Sequence, residues 1–233
     1  GWTALHMAAG GGRIGVARLL LAAAPGSAAA RDDCGGTPLH SAAAGGHNSM
    51  MQLLLAAGAR ADAADVDGCT ALYFAASGRV PNSVRLLLDA APGMAAARDS
   101  DGNTPLHCAA RSGNSEGVSL LLQAAPSTAW AADQDGHTPF VYLMDTLQRL
   151  YASHATAQPL LQAARCLLRT APAVQPALDQ LVQAGQDAAA LYADLVCRLP
   201  LTAAEWQLIP APCPDLARAL PAVLARSTAE AGW

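Results

Sequence analysis

The chain has 233 residues, 52% of them hydrophobic but only 4% aromatic. Alanine carries the excess, which suits close-packed short helices rather than a large aromatic-lined pocket. The formal net charge is −4, every one of the 14 basic residues is Arg, and no long basic run occurs, so the balance does not support nucleic-acid binding. The absence of Lys reads first as genome base composition. The length admits one elongated array or two small domains.

No apolar segment reaches the roughly 18–20 residues needed to cross a bilayer. Neither end reads as a signal peptide, so membrane insertion is not expected. Gly1 already lies inside a turn motif, and the chain ends at a helix-start pattern, Ser227-Thr228-Ala229-Glu230. Both ends are therefore expected to be cut from a longer protein.

One pattern recurs along the chain. Thr3, Thr37, Thr70, Thr104 and Thr138 are separated by 34, 33, 34 and 34 residues. A fixed period in this range signals stacked supersecondary units. Gly102-Asn103-Thr104-Pro105-Leu106-His107-Cys108-Ala109-Ala110 is the fullest copy, and Gly36–Ala43 is the second. Gly1–Ala9 and Gly68–Ala76 are looser, and Gly136–Phe140 begins a fifth. Sixteen residues after each of the first four threonines stands a leucine triplet: 19–21, 53–55, 86–88 and 120–122. Thr is a helix N-cap, and Pro at the first helical position lacks only a donor the helix cannot use. Leu faces inward, and the Ala-Ala pair lets neighbouring helices approach closely. Each triplet is expected to supply most of the apolar area of a second helix, at roughly 1.5–3 kcal/mol per fully buried side chain.

In chain order, repeat one continues through a second helix over Arg13–Ala24. Repeats two, three and four cover about 32–64, 65–98 and 99–132. Repeat two closes on Ala57-Gly58-Ala59. The others close on Ala24-Pro25-Gly26, Ala91-Pro92-Gly93 and Ala125-Pro126-Ser127, where Pro stops the helix. Repeat five departs from the pattern at Val141-Tyr142-Leu143-Met144. Its first helix is expected to run through Tyr151, followed by an irregular link over Ser153–Pro159. Cys166-Leu167-Leu168-Arg169 then arrives about 12 residues late. Residues 173–233 read as short helices cut by Pro. Leu191, Leu195, Val196 and Leu199 share one face there, and Thr202-Ala203-Ala204-Glu205 is a capping-box pattern. This tail is expected to cap the array.

The Thr-Pro-Leu-His-x-Ala-Ala units resemble the ankyrin repeat, over about residues 1–172. The resemblance implies an all-α solenoid of helix–turn–helix repeats with β-turn tips, four clear and a fifth divergent with an insertion. It also implies a protein–protein interaction scaffold with no catalysis, whose partner lies across the concave face. By the register of the repeat, the partner-binding positions are the two before each turn Gly, the one after it, and the two after Ala-Ala. In repeat two these are Asp33 and Cys34, and in repeat three Val66, Asp67, Cys69 and Ser77. In repeat four they are Ser100, Asp101, Asn103, Arg111 and Ser112, and in repeat five Gln134, Asp135 and His137. Asn103, Arg111 and Ser112 are expected on the exposed side of repeat four, with Leu106, Leu120 and Leu121 in its core. Arg111 is the expected anchor, with Asp99 and Asp101 placed to orient or neutralise it. Gly10, Gly11, Gly36 and Ala44 occupy equivalent positions and read as a featureless surface, with the hot spot beyond the chain ends. One alternative is a substrate-recruiting adaptor, as in ubiquitin ligation, with 173–233 as docking element. The other is the targeting arm of a larger enzyme.

Other motifs fit the repeat better than they fit chemistry. His6, His40 and His107 fall one per repeat, about 10 Å apart by helix-layer spacing, too far to share an ion. Each is expected to bond its own Thr and the adjoining turn. Gly10-Gly11-Gly12-Arg13-Ile14-Gly15 fits a dinucleotide-binding pattern, yet it follows a helix, where a helix–helix turn belongs. Asp65-Val66-Asp67-Gly68, Asp99-Ser100-Asp101-Gly102 and Asp133-Gln134-Asp135-Gly136 lack the remaining oxygens of a calcium loop and read as β-turns. They leave an acidic row that favours a basic partner. No nucleophile, metalloprotease or phosphate-loop signature occurs. Six cysteines without a C-x-x-C pair read as free thiols in a reducing compartment. A monomer in the cytoplasm or nucleus, without metal or cofactor, is expected.

Overall fold

The computed structural model describes residues 1–78, 80–152 and 167. Nine helices are formed among them: α1 (Ala4–Gly10), α2 (Ile14–Ala23), α3 (Pro38–Ala44), α4 (Asn48–Ala56), α5 (Ala71–Ser77), α6 (Pro81–Ala90), α7 (Pro105–Ser112), α8 (Ser115–Ala124) and α9 (Pro139–Ala152). Each odd helix up to α7 pairs with the even helix that follows it. Each pair stacks on the next, so that α1, α3, α5, α7 and α9 form an inner row and α2, α4, α6 and α8 an outer one. Among the described residues β-structure is limited to an isolated bridge between Ala64 and Thr70. The fold is the all-α solenoid expected from the sequence. α9 runs to Ala152, as the long first helix of repeat five predicts. Leu167 is helical and buried in the same core. The expected link over 153–159 and the tail 173–233 lie outside the described residues.

The core forms between repeats. Ala8, Ala9, Ala42, Ala43, Ala75, Ala76, Ala109 and Ala110 are all buried along the inner row, beside Leu5, Leu39, Leu72, Leu106 and Phe140. In the outer row the triplets divide their work unevenly. Leu54, Leu87 and Leu121 are buried, whereas Leu53, Leu86 and Leu120 are only partly covered. Leu120 is therefore not the core residue that the triplet pattern predicts. A helix turns about 100° per residue, so three consecutive side chains cannot all face one neighbour. In α2 Leu21 is 8% exposed while Leu19 is 74% exposed. The three Pro stops open short 3₁₀ turns, at Pro25–Ala29, Pro92–Ala96 and Pro126–Thr128.

The histidine of each motif joins its repeat to the next. The backbone N–H of Thr37 donates to His40 Nδ1 at 3.0 Å, and that of Thr104 donates to His107 Nδ1 at 2.9 Å. The opposite nitrogen, Nε2, reaches the carbonyl of Gly36 from His6 (3.1 Å), of Cys69 from His40 (3.1 Å) and of His137 from His107 (3.3 Å). Each acceptor directly precedes the next repeat's threonine. A carbonyl can only accept, so Nε2 carries the hydrogen. A backbone N–H can only donate, so Nδ1 is bare. With both nitrogens assigned, the ring is neutral.

Repeat three replaces this histidine with Tyr73. Its hydroxyl lies 2.6 Å from the Asn103 carbonyl and 2.7 Å from that of Ala97, so the link to the next repeat survives. The local half is lost, because a phenol has no equivalent of Nδ1. Among the described residues the buried Thr70 Oγ1 has no hydrogen-bond partner, and neither has Thr138 Oγ1, where Val141 replaces the histidine.

Three stability experiments follow. His107→Ala takes the acceptor from the Thr104 N–H and one of two donors from the His137 carbonyl, which keeps the Asp133 N–H at 2.9 Å, and should cost about 1–3 kcal/mol. Tyr73→Phe removes one donor from the Asn103 carbonyl, which keeps the Asp99 N–H at 3.0 Å, and should cost about 0.5–1.5 kcal/mol. Leu121→Ala should cost about 2–5 kcal/mol and Leu120→Ala clearly less. Urea unfolding checks all three, and equal midpoints for the two leucine variants would contradict the packing described.

A further outcome concerns pH. Burial holds the His40 and His107 imidazoles below their ordinary pKa of 6.5, against the opposing pull of the carbonyls they bond. Below 6.5 the unfolded chain takes up protons that the folded chain excludes. Stability is thus full above that value and falls as pH drops towards the folded pKa. The urea midpoint should decline between neutral pH and mildly acidic pH. Replacing both histidines with Gln should flatten that decline, and an unflattened profile would contradict the assignment.

Candidate interaction surface

The turn tips share one construction. Asp32, Asp65, Asp99 and Asp133 each turn Oδ1 back to accept the backbone N–H groups two and four residues on, at 2.7–3.0 Å. This is the Asx-turn, which Asp favours. Successive tips are also bonded to one another. Val66 N–H donates to the Cys34 carbonyl, Ser100 N–H to that of Asp67, and Gln134 N–H to that of Asp101, at 2.7–2.9 Å. Arg31 donates to the carbonyls of Gly35 and Ala64, and Arg98 to those of Gly102 and Ala132, at 2.7–2.8 Å. At Gly68 and Gly102 φ is +80°, and an added Cβ would sit 3.2–3.3 Å from the next tip's backbone. Glycine is required there both for the left-handed conformation and for the close approach.

Backbone bonds thus hold the row, and many tip side chains remain in solvent. Asp33, Cys34, Val66, Asp67, Ser100, Asp101, Gln134, Asp135 and His137 are all exposed, as are Ser77 and Arg111 at the inner helix ends. Cys69 is half-buried, and burial, followed by nearby carboxylates, pushes its thiol up to about 12. Ser112 is half-buried, with Oγ donating to the carbonyls of Ala76 (3.2 Å) and Ala109 (3.1 Å).

Two expectations need correction. Asn103 is only 6% exposed, so it is not on the accessible side of repeat four. Its amide donates to Asp99 Oδ2 at 3.2 Å, which folds the side chain under the turn. Arg111 forms no ion pair with Asp99 or Asp101 among the described residues. Its guanidinium lies over the Tyr142 ring, 5.3 Å from the centroid, with Nη2 3.8 Å from Cys108 Sγ. The ring comes from α9, one layer on, and its negative face attracts the cation. Tyr142 in turn donates to Asp133 Oδ2 at 2.7 Å, and burial together with that bond pushes its phenol up to about 12.

A groove of about 560 Å³ crosses repeats one to three, beside the tips. Gly10, Gly11, Ala44 and Gly45 lie along it, and Trp2, Met7 and Phe74 supply its apolar bulk. The residues that read as featureless therefore line a depression. Met7, Ser41 and Phe74 each stand four residues after a motif threonine. That position, rather than the pair after Ala-Ala alone, carried a signal in the sequence.

The remaining chemical candidates resolve into structure. Gly12 and Gly46 have φ of +64° and +67° in turns between paired helices, so the glycine-rich stretch is a helix–helix turn. Ligand atoms of Asp133, Asp135 and His137 lie within 4.8 Å of one another. Asp133 already accepts two turn N–H groups through Oδ1 and the Tyr142 hydroxyl through Oδ2. The same Asx-turn stands at Asp32, Asp65 and Asp99, so turn geometry accounts for the cluster.

The family model for ankyrin repeats in three copies matches residues 1–65 and 50–133. No curated protein matches the chain. Among the described residues no helix is long and apolar enough to cross a membrane. The matched stretch covers more than half of the 233 residues and holds α1 to α8, with the tips and the groove that they carry. The chain belongs to the ankyrin-repeat family.

Proposed function

We propose that this protein is a non-catalytic interaction scaffold that binds a partner protein across the side formed by its turn tips and inner helices. Ankyrin repeats are in general protein–protein interaction modules. The observation that carries the finer reading is the division of labour in the tips. Backbone N–H and carbonyl groups bond one tip to the next, while Asp33, Val66, Asp67, Ser100 and Asp101 stay in solvent. Side chains that the fold does not use can vary to suit a partner. Val66 is 68% exposed, an apolar contact held out on a rigid support. Cys34, Cys69, Ser77, Ser112, Gln134, Asp135 and His137 complete the surface we assign, with Arg111 as its charged contact in repeat four. In the same reading residues 1–172 act as the array and 173–233 as its terminal unit, in a monomer of the cytoplasm. The adaptor reading depends on residues 173–233, which lie outside the described structure.

Site-specific photo-crosslinking tests the surface. A benzophenone side chain at Val66 or Ser100 should capture the partner in cell extract, and one at Gln123, exposed on α8, should not. Capture from Gln123 alone would place binding on the outer helices and contradict the proposal.

A further inference from the structure

We infer that the groove over repeats one to three takes an extended segment of a partner protein in which a bulky aliphatic side chain is flanked by Arg or Lys. This assignment rests on the interaction reading above and adds the partner's chemistry to it.

The shape of the groove argues for a side chain of some bulk. Gly10, Gly11 and Gly45 present no side chains, so the depression is open where the inner helices end. Gly45 is confined to glycine. An added Cβ would lie 2.6 Å from the His47 ring and 3.0 Å from the Gly10 carbonyl. His47 is itself tied down, with Nε2 3.0 Å from the carbonyl of Gly10. The shallow floor is thus fixed by packing between repeats one and two.

The walls argue for an apolar occupant. Trp2 is 66% exposed and Met7 65% exposed, and both line the groove. Phe74 stands in the wall with its ring edge-on to His40, at 5.7 Å between centroids. Large apolar groups held in solvent at one concave place mark a contact surface. Met adapts its shape to aliphatic partners.

The rim argues for flanking cations. Asp32 and Asp65 line the groove, and each uses only Oδ1 in its turn. Among the described residues nothing donates a hydrogen bond to their second oxygens. Asp67 is exposed on the adjacent tip. The cations nearby are already engaged or set apart. Arg31 is bonded to the carbonyls of Gly35 and Ala64, and Arg13 packs beside Gly11, outside the lining. Two carboxylates about an apolar depression favour a cation–aliphatic–cation pattern and disfavour acidic peptides and anionic lipid.

Fluorescence anisotropy with three labelled peptides in a Gly-Ser frame tests this on the full chain. The first carries Leu between two Arg, the second Leu between two Glu, and the third Gly between two Arg. The first should bind at least about tenfold more tightly than either of the others. Its binding should weaken on going from about 50 mM to about 500 mM salt. Met7→Glu should reduce that affinity by about tenfold or more, as should Asp32→Asn combined with Asp65→Asn. Asn preserves the Asx-turn acceptor while removing the charge. Gln123→Glu, remote from the groove, should leave it unchanged. Melting temperatures close to wild type would show that the variants fold. Equal binding of the three peptides, binding by none, or wild-type affinity in the folded groove variants would each overturn the assignment. If crosslinking at Val66 and Ser100 still captures a partner in that event, the interaction reading stands and only this assignment falls.

Discussion

A helix pair of this length cannot bury its own apolar face, so everything else depends on what bonds one pair to the next. Apolar contact supplies most of the driving force, through the alanine pairs and the central leucines. Yet such contact is non-directional and would tolerate sliding. Direction comes from a polar bond, the reach of His6, His40, Tyr73 or His107 to the carbonyl just before the next threonine. That carbonyl also accepts the N–H of the Asp in its own turn, so the directional bond ties the turn of one repeat to the inner helix of the repeat before it and sets their register.

The constraint continues outward to the tips. Once the carbonyl before each threonine is held, the turn preceding it is positioned. The Asx-turn and the tip-to-tip N–H bonds then complete a rigid backbone row. Rigidity in the backbone is what allows freedom in the side chains. A partner that binds such a surface meets groups already in place, so less ordering entropy opposes association.

Periodic features were legible in the sequence because their causes are local. Thr as cap, Pro at the first helical turn, Ala-Ala and the turn glycines each act within a few residues, and the helices fall where these place them. What escaped depends on contacts about one repeat apart. Asn103 stands at a variable position by register, but its amide fits under Asp99 and is buried. Arg111 was matched to carboxylates of its own repeat, whereas the ring that holds it comes from α9. Leu120 belongs to a strong pattern, but a helix can turn only part of a triplet inward. The groove was hidden because glycine and alanine carry no chemistry as letters and become informative only when Trp2, Met7 and Phe74 are seen around them.

The central claim is that neutral histidines, with hydrogen on Nε2 alone, bond each repeat to the next. Nitrogen-15 NMR of the histidine rings in the native protein at neutral pH reads this directly. His40 and His107 should each show a protonated Nε2 and a bare Nδ1. A ring protonated at Nδ1, or at both nitrogens, would contradict the account.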